Sequence, residues 1–332
     1  MLIFIDESGS FAYTSRPIGI ALVGALIIPE GRIEQVIKKY NALRARLPMQ
    51  DGEVKGRMLS EADIDRVVAI LVRNEALFEV VAVDMAVHSL DGVEAHKKAQ
   101  ENAITNNLSN EHHPKVAEQI WDLRRRLELM PHQLYIQSVS TFELILTVVK
   151  FSTLYFSQRR PETLGQFQWV IDSKNKDCMT DWEDWWSYTV MPATQSKSFR
   201  EPMGKLVEGD YSYFQRFESA IPEYLRPHLK NPEAKSGLDA KKIITESFRF
   251  SSNPEPGLEM VDILTNATRR ALVGNLGKHG WANIPRLMIH RKSHYINMIS
   301  LADAPKSHHY PYMSVLNYFS QGGKEILAPR FR

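Results

Sequence analysis

The chain has 332 residues, of which 43% are hydrophobic and 24% are charged, which is ordinary for a globular protein that buries a full core. The net charge is only +2, and a single cysteine, Cys178, excludes a disulfide framework or a cysteine-rich zinc site. We expect a soluble, cytoplasmic protein with no signal peptide, because Asp6 and Glu7 interrupt the N-terminal apolar run, and with no membrane span, because no apolar stretch is long enough.

The first predicted element is a buried strand that ends in two acids. Residues 2–5 are all apolar, and Asp6 and Glu7 follow directly before a Ser-Gly-Ser turn. Because side chains alternate along a strand, Asp6 shares a face with Phe4 while Glu7 points the other way. Asp6 is therefore the better candidate for a central site.

A hairpin and two helices are predicted next. Residues 18–28 form a second apolar run, which predicts a strand paired with the first one. Apolar residues then recur at helical spacing from Ile33 to Leu47, and a capping box at residues 60–63 begins another helix. The loop between the helices carries Glu53 and Lys55, which are either a metal carboxylate with a phosphate contact or an ordinary charged pair.

Acids recur at the ends of later elements. Two further strand-like segments run into Asp84 and Asp172, and a late apolar helix carries Glu259 and Asp262 at a spacing that puts both on one face. Carboxylates gathered at strand ends repel one another unless a cation neutralises them. Acids are rarely buried without a partner or a metal, so Asp262 needs one of the two.

Three of these segments resemble a known family. The residues IDESG at 5–9, the strand that ends in Asp172 and the residues GLEMVD at 257–262 are similar to an uncharacterised bacterial domain family with an N-terminal "YIDESG" strand and a late "GLQLADL" helix. That family looks like a divergent branch of the RNase H-like superfamily, in which acids on the first strand, a central strand and a late helix hold divalent metal for phosphodiester cleavage. Glu259 stands where the family more often has glutamine.

The resemblance implies a fold and a reaction. The fold would be one α/β domain over residues 1–332, with an RNase H-like mixed sheet flanked by helices. Asp6, Asp172 and Asp262 would be the catalytic acids. Glu7 is a further catalytic candidate, and Asp84 and Glu259 are further metal-ligand candidates. Such oxygen ligands suit Mg²⁺ or Mn²⁺, and two of these ions about 4 Å apart can activate water and stabilise a leaving oxygen.

We therefore expect a metal-dependent nuclease. The alternative is a nucleic-acid-binding or partner-binding protein on the same scaffold, whose acids hold a structural ion or only a hydrogen-bond network.

The segment 88–166 is predicted to be a large helical insertion. Apolar residues recur at helical spacing from Val116 to Met130 and again from Tyr135 to Val149, separated by Pro131. This pattern predicts an antiparallel pair of helices packed on each other. Their surface is the candidate contact for a protein partner.

The basic residues are concentrated in the C-terminal part, 265–332. Ten lysines and arginines there face only two acids, which gives a local charge of +8 and leaves −6 on the rest of the chain. Such asymmetry is typical of a protein that binds DNA or RNA, although a solvated basic surface gives the same pattern. The candidate phosphate contacts are Lys55, Lys174, Arg269, Arg291 and Lys292.

Overall fold

A mixed six-stranded sheet covered by helices on both faces is the frame of this α/β protein. The computed structural model describes residues 1–15, 17–106, 108, 113–173, 182, 185–186, 190–200, 202–221, 223, 226, 229, 231, 233–301 and 310–329. Lys174 and Cys178 lie outside these residues.

The elements of the described residues are as follows. The strands are β1 (Leu2–Ser8), β2 (Ile20–Ile28), β3 (Leu77–Asp84), β4 (Gln168–Asp172), β5 (Glu218–Ala220), β6 (Ser236–Leu238), β7 (Phe248–Ser251) and β8 (Ile296–Met298). The α-helices are α1 (Ile33–Arg44), α2 (Glu61–Arg73), α3 (Leu90–Thr105), α4 (Pro114–Leu129), α5 (His132–Phe156), α6 (Met191–Arg200), α7 (Ala240–Thr245), α8 (Pro256–Val273) and α9 (Met313–Phe319).

The first three strands form an antiparallel meander, and the other strands of the main sheet are added in parallel. The order across the sheet is β7-β4-β1-β2-β3-β8, with β4 parallel to β1, β7 parallel to β4 and β8 parallel to β3. β5 and β6 form a separate antiparallel pair. The first strand therefore lies inside the sheet, and its carboxyl end is on the same edge as those of β3 and β4.

Two hydrophobic cores, one on each face of the sheet, fix which way the strand residues point. Phe4 and Val170 pack in the core built with α1, α2 and α8. Ile5 and Ile171 pack in the opposite core, which is built with α5. The alternation expected from the sequence is therefore present in both β1 and β4.

The strands predicted at the start of the chain are confirmed, and so is the hairpin of β1 with β2. The predicted capping box is confirmed at one of its ends, since Ser60 Oγ accepts a hydrogen bond from the Asp63 N–H at the start of α2.

The prediction for 88–166 is correct in being helical but wrong in the packing. α4 packs mainly on α3, where Arg124 donates to Thr105 and Lys97 donates to the Glu128 carbonyl.

Helix α5 is part of the central fold. It lies against β2 and β3, and 15 of its 25 residues are buried. By length and composition this helix could also cross a membrane, but 61% of its most apolar window is buried inside the protein. Within 88–166, α5 therefore covers the sheet, while α3 and α4 pack mainly on each other.

The C-terminal part is built into the same fold. β8 is an edge strand of the main sheet, and α8 covers β1 and β2. Some of its positive charges have structural partners, as described below. The described residues of 265–332 are therefore part of the same fold as the main sheet.

Helix α8 lies unusually close to β1. A Cβ added at Gly257 would come within 2.1 Å of the Phe4 ring, and one added at Gly9 would come within 2.7 Å of Arg269 Nε. Gly257 is near the start of α8 and Arg269 is near its end, so the helix runs alongside β1 in the same direction. Asp262, between these two contacts, is thereby held beside the carboxyl-terminal half of β1, which carries Asp6.

Gly257→Ala tests this close approach. We expect the variant to lose about 1 to 3 kcal/mol of unfolding free energy, because Phe4 is buried and cannot move aside without disturbing the core. Gly204→Ala is the matched control, since an added Cβ there meets no atom within 4 Å. Chemical denaturation of both variants measures the difference, and equal stability of the two would contradict the packing.

Candidate functional site

Asp6 and Asp172 lie side by side on adjacent parallel strands. Ile5 of β1 pairs with Ile171 of β4, so the two aspartates are the next residues along both strands. Neighbouring strands are about 4.8 Å apart, and both aspartates follow the alternation that points Phe4 and Val170 toward α8. Glu7 is directed to the α5 face by the same alternation. The prediction that these acids end neighbouring strands is correct, and the prediction that their carboxylates share a cation stays a prediction.

Asp262 faces the same region from helix α8. Its Oδ2 accepts a hydrogen bond of 2.7 Å from the Gly56 N–H, in the loop between α1 and α2. Gly56 is required there, because a Cβ would lie 2.8 Å from the Ile263 Cα. The loop and the helix are therefore in direct contact at Asp262.

The same loop brings a carboxylate and a cation to these aspartates. Lys55 forms an ion pair with Glu53. Burial opposes the charge of Lys55, but the hydrogen bond and field of Glu53, together with the fields of Asp262 and Asp172, raise its pKa above the usual value. We call Asp6, Asp172, Asp262 and Glu53 the acidic site, and Lys55 is its internal cation.

Burial dominates the electrostatics of Asp262. It raises the pKa of this carboxyl, although the Gly56 N–H and the charges of Lys55 and Arg57 act in the opposite direction. The field of Glu53 adds to the increase. An ionised Asp262 is therefore only partly compensated by its protein neighbours.

The acidic site has the donor chemistry of a divalent-metal centre. Its side chains offer carboxylate oxygens, which hard cations prefer. Within the described ranges, no group of three or more His, Cys, Asp or Glu side chains is already arranged to hold a metal ion. The acidic site therefore fits a divalent metal in the chemistry of its side chains and in where the backbone places them, while Lys55 lies among the acids.

Glu259 has a different role from the metal ligand that the sequence suggested. Its buried carboxylate accepts hydrogen bonds from Arg44 at 2.7 Å to each oxygen, from Tyr40 at 2.9 Å and from the Val54 N–H at 3.1 Å. It shares a face of α8 with Asp262, as predicted, and both acids bind the same loop through its backbone. Glu259 therefore anchors the loop that carries Lys55 and Arg57.

Asp84 is also held by structural contacts. Its Oδ1 accepts from the N–H groups of Gly19 and Ala86, and its Oδ2 accepts from the Tyr312 hydroxyl. β3 is separated from β1 by β2, and Asp84 is farther toward the strand end than Asp6. The predicted grouping of Asp84 with the other acids is not what the structure shows.

The predicted phosphate contacts fall into separate places. Arg269 lies beside the acidic edge, where its Nε donates to the Ile20 carbonyl at 3.0 Å. Arg291 is committed to the fold, because it forms a buried ion pair with Glu79 at 2.7 Å and lies over the Phe151 ring. Lys292 is exposed, and Lys174 is outside the described residues.

Sequence reasoning missed Gly56, Arg57 and Arg44. The charged sequence around Lys55 indicated an interesting loop, but the contact of Gly56 with Asp262 joins residues 206 positions apart. The partner of Glu259, Arg44, is 215 positions away. A glycine between two cations was the one local sign that the loop approaches another backbone closely.

The fold and site define a mixed α/β protein with an acidic centre between a sheet edge and a helix. A comparison of the chain with protein-family models, with curated proteins and with solved structures found no match.

Asp262→Asn tests the electrostatics of the site. Because burial raises the folded-state pKa, the protonated form is favoured on folding, and this contribution is complete below the ordinary pKa of 3.8 and lost as pH rises through the raised value. Asparagine cannot ionise, so in metal-free buffer we expect Asp262→Asn to melt at the same temperature as the wild type or higher at pH 7, and to lose any advantage at acidic pH.

The control for this experiment is Asp91→Asn, which removes an exposed carboxylate at the start of α3. It should give no such stabilisation at pH 7. An Asp262→Asn protein that is clearly less stable than the wild type at pH 7 would show that the carboxylate serves the fold.

Proposed function

We propose that this protein is a Mg²⁺- or Mn²⁺-dependent nuclease with an RNase H-like architecture. The observation that carries the proposal is the placement of Asp6 and Asp172 in register on adjacent parallel strands, facing the helix that bears Asp262. Acids on the first strand, a neighbouring central strand and a late helix are what the resemblance to RNase H-like proteins leads us to expect. The mixed sheet, with β1 in its interior, agrees with that architecture.

The acidic site would hold the metal through its carboxylates. Asp6, Asp172 and Asp262 are the proposed ligands, with Glu53 next to them. When bound, the metal supplies an activated water and charge stabilisation for a phosphodiester displacement. The Gly56 N–H orients the Oδ2 oxygen of Asp262.

The cations of the loop would hold the substrate backbone. Lys55 is placed among the acids, and Arg57 is exposed next to it with its guanidinium donating to Gln50. Arg269 lies at the adjacent β1 turn. Arginine and lysine in these positions can bind phosphate oxygens on either side of the scissile bond.

A second candidate function is binding without cleavage. The observation that favours it is the Lys55–Glu53 ion pair, because the fields of Asp172 and Asp262 also act on Lys55. A lysine that permanently neutralises these acids would make the cluster a structural network. The basic residues would then bind nucleic acid without any cleavage. The logarithm of the binding constant would fall linearly with log[salt], with a slope of about −0.7 to −0.9 for each phosphate contact.

A cleavage assay separates these functions. We expect the wild type to cut labelled DNA or RNA with Mg²⁺ or Mn²⁺ and not with EDTA. Asp6→Asn and Asp172→Asn should each lower the rate roughly 100-fold or more, since each removes a charged ligand of the metal, and the metal is what activates the water and stabilises charge in the transition state. Asp91→Asn is the control, and it should cut like the wild type. Binding of nucleic acid without metal-dependent cleavage by the wild type would favour the second candidate.

A further inference from the structure

A pocket of about 210 Å³ lies on the same edge of the sheet as the acidic site. Its walls come from the segments that follow β1 and β3, and from the first turns of α3 and α5. Phe11 comes shortly after β1 and Met85 directly after β3, so both residues lie where the chain leaves the sheet. The acids point to the α8 face and the pocket opens on the α5 face, so a chain bound at the acidic site would have to cross the sheet edge at the Gly9 turn to enter it.

The pocket has an apolar floor and a mixed mouth. Phe11, Met85, Val93 and Ile136 are each at most 2% exposed and form the floor. At the mouth, Tyr13 is 54% exposed, beside His132 and Gln133 at the start of α5. A flat ring with apolar faces and polar edges matches this arrangement, since apolar contact holds its faces while its edges reach polar groups or water.

The wall of the pocket is preformed by a buried hydrogen-bond network. The Asp84 carboxylate fixes the turn after β3 through the Ala86 N–H. His88 donates from Nδ1 to the Asp84 carbonyl at 2.7 Å and accepts at Nε2 from the Leu301 N–H at 2.9 Å. Both ring nitrogens of His88 are therefore used in contacts within the wall. This network holds the His88 side of the pocket in a fixed position.

We propose that this pocket binds one unpaired nucleobase of a single-stranded substrate, with Tyr13 as the stacking residue. The identification of the ring as a nucleobase rests on the proposed nuclease function and on the shared sheet edge. It adds a substrate preference that the acids alone do not give, because a paired base cannot leave its duplex to enter the pocket without a cost in stacking and pairing.

The test is the affinity for a short single-stranded DNA and for the same sequence as a duplex, measured by fluorescence anisotropy in Ca²⁺ or EDTA so that no cleavage occurs. Loss of one base–aromatic stack is worth a factor of about 5 to 150. Tyr13→Ala should weaken single-strand binding by that factor and leave duplex binding unchanged. Tyr13→Phe should keep most of the affinity.

Tyr213→Ala is the matched control. Tyr213 is 51% exposed, close to the value for Tyr13, and lies near Gly165, which precedes β4 at the opposite edge of the sheet. It should bind both DNAs like the wild type. Wild-type affinity of Tyr13→Ala for the single strand, or an equal loss with the duplex, would overturn the proposal.

The two proposals can fail separately. Metal-dependent cleavage that needs Asp6, combined with unchanged binding by Tyr13→Ala, would remove the base pocket and keep the nuclease. Single-strand binding that needs Tyr13, without any metal-dependent cleavage, would keep the pocket and remove the nuclease.

Discussion

The close contact of helix α8 with strand β1 is the constraint on which the candidate site depends. The Phe4 ring occupies the space that a Cβ at position 257 would need, so only glycine fits there. The axis of α8 can therefore come close enough to β1 to set Asp262 beside the acids at the strand ends. If α8 packed farther from β1, Asp262 would not lie beside Asp6 and Asp172. The same packing forms one of the two cores, so the geometry of the acids is tied to the stability of the whole sheet.

Such a site has an electrostatic cost, and the loop between α1 and α2 reduces it. Carboxylates brought together in partly buried surroundings repel one another. The Gly56 N–H and the Lys55 ammonium supply positive charge, and Glu259 with Arg44 holds the loop in place. A divalent ion that enters would compete with Lys55 for the same carboxylates. Release of Lys55 toward a phosphate would then couple metal binding to substrate binding.

The sequence predicted the parts of the fold that depend on local pattern. Apolar runs identified β1 to β4, alternation separated Asp6 from Glu7, and helical spacing put Glu259 and Asp262 on one face. Resemblance singled out Asp6, Asp172 and Asp262, and the register of β1 with β4 brings the first two together.

The errors came from long-range pairing, which no local pattern contains. Glu79 neutralises Arg291 from 212 residues away, and Tyr312 bonds Asp84 from 228 residues away. Sequence alone could not separate such structural charges from charges that face a ligand. Helix α5 was misplaced for a related reason: its amphipathic stripe predicted a helix pair, but its position under the sheet depends on the strands before and after it.

The central claim is that Asp6, Asp172 and Asp262 together bind a divalent metal. The most direct measurement is an anomalous difference map from crystals grown or soaked with Mn²⁺. The account predicts a peak about 2.1 to 2.2 Å from carboxylate oxygens of these three residues, with Lys55 moved away from Glu53. A map without a peak at this edge of the sheet, or with Lys55 still paired among the acids at saturating Mn²⁺, would contradict it.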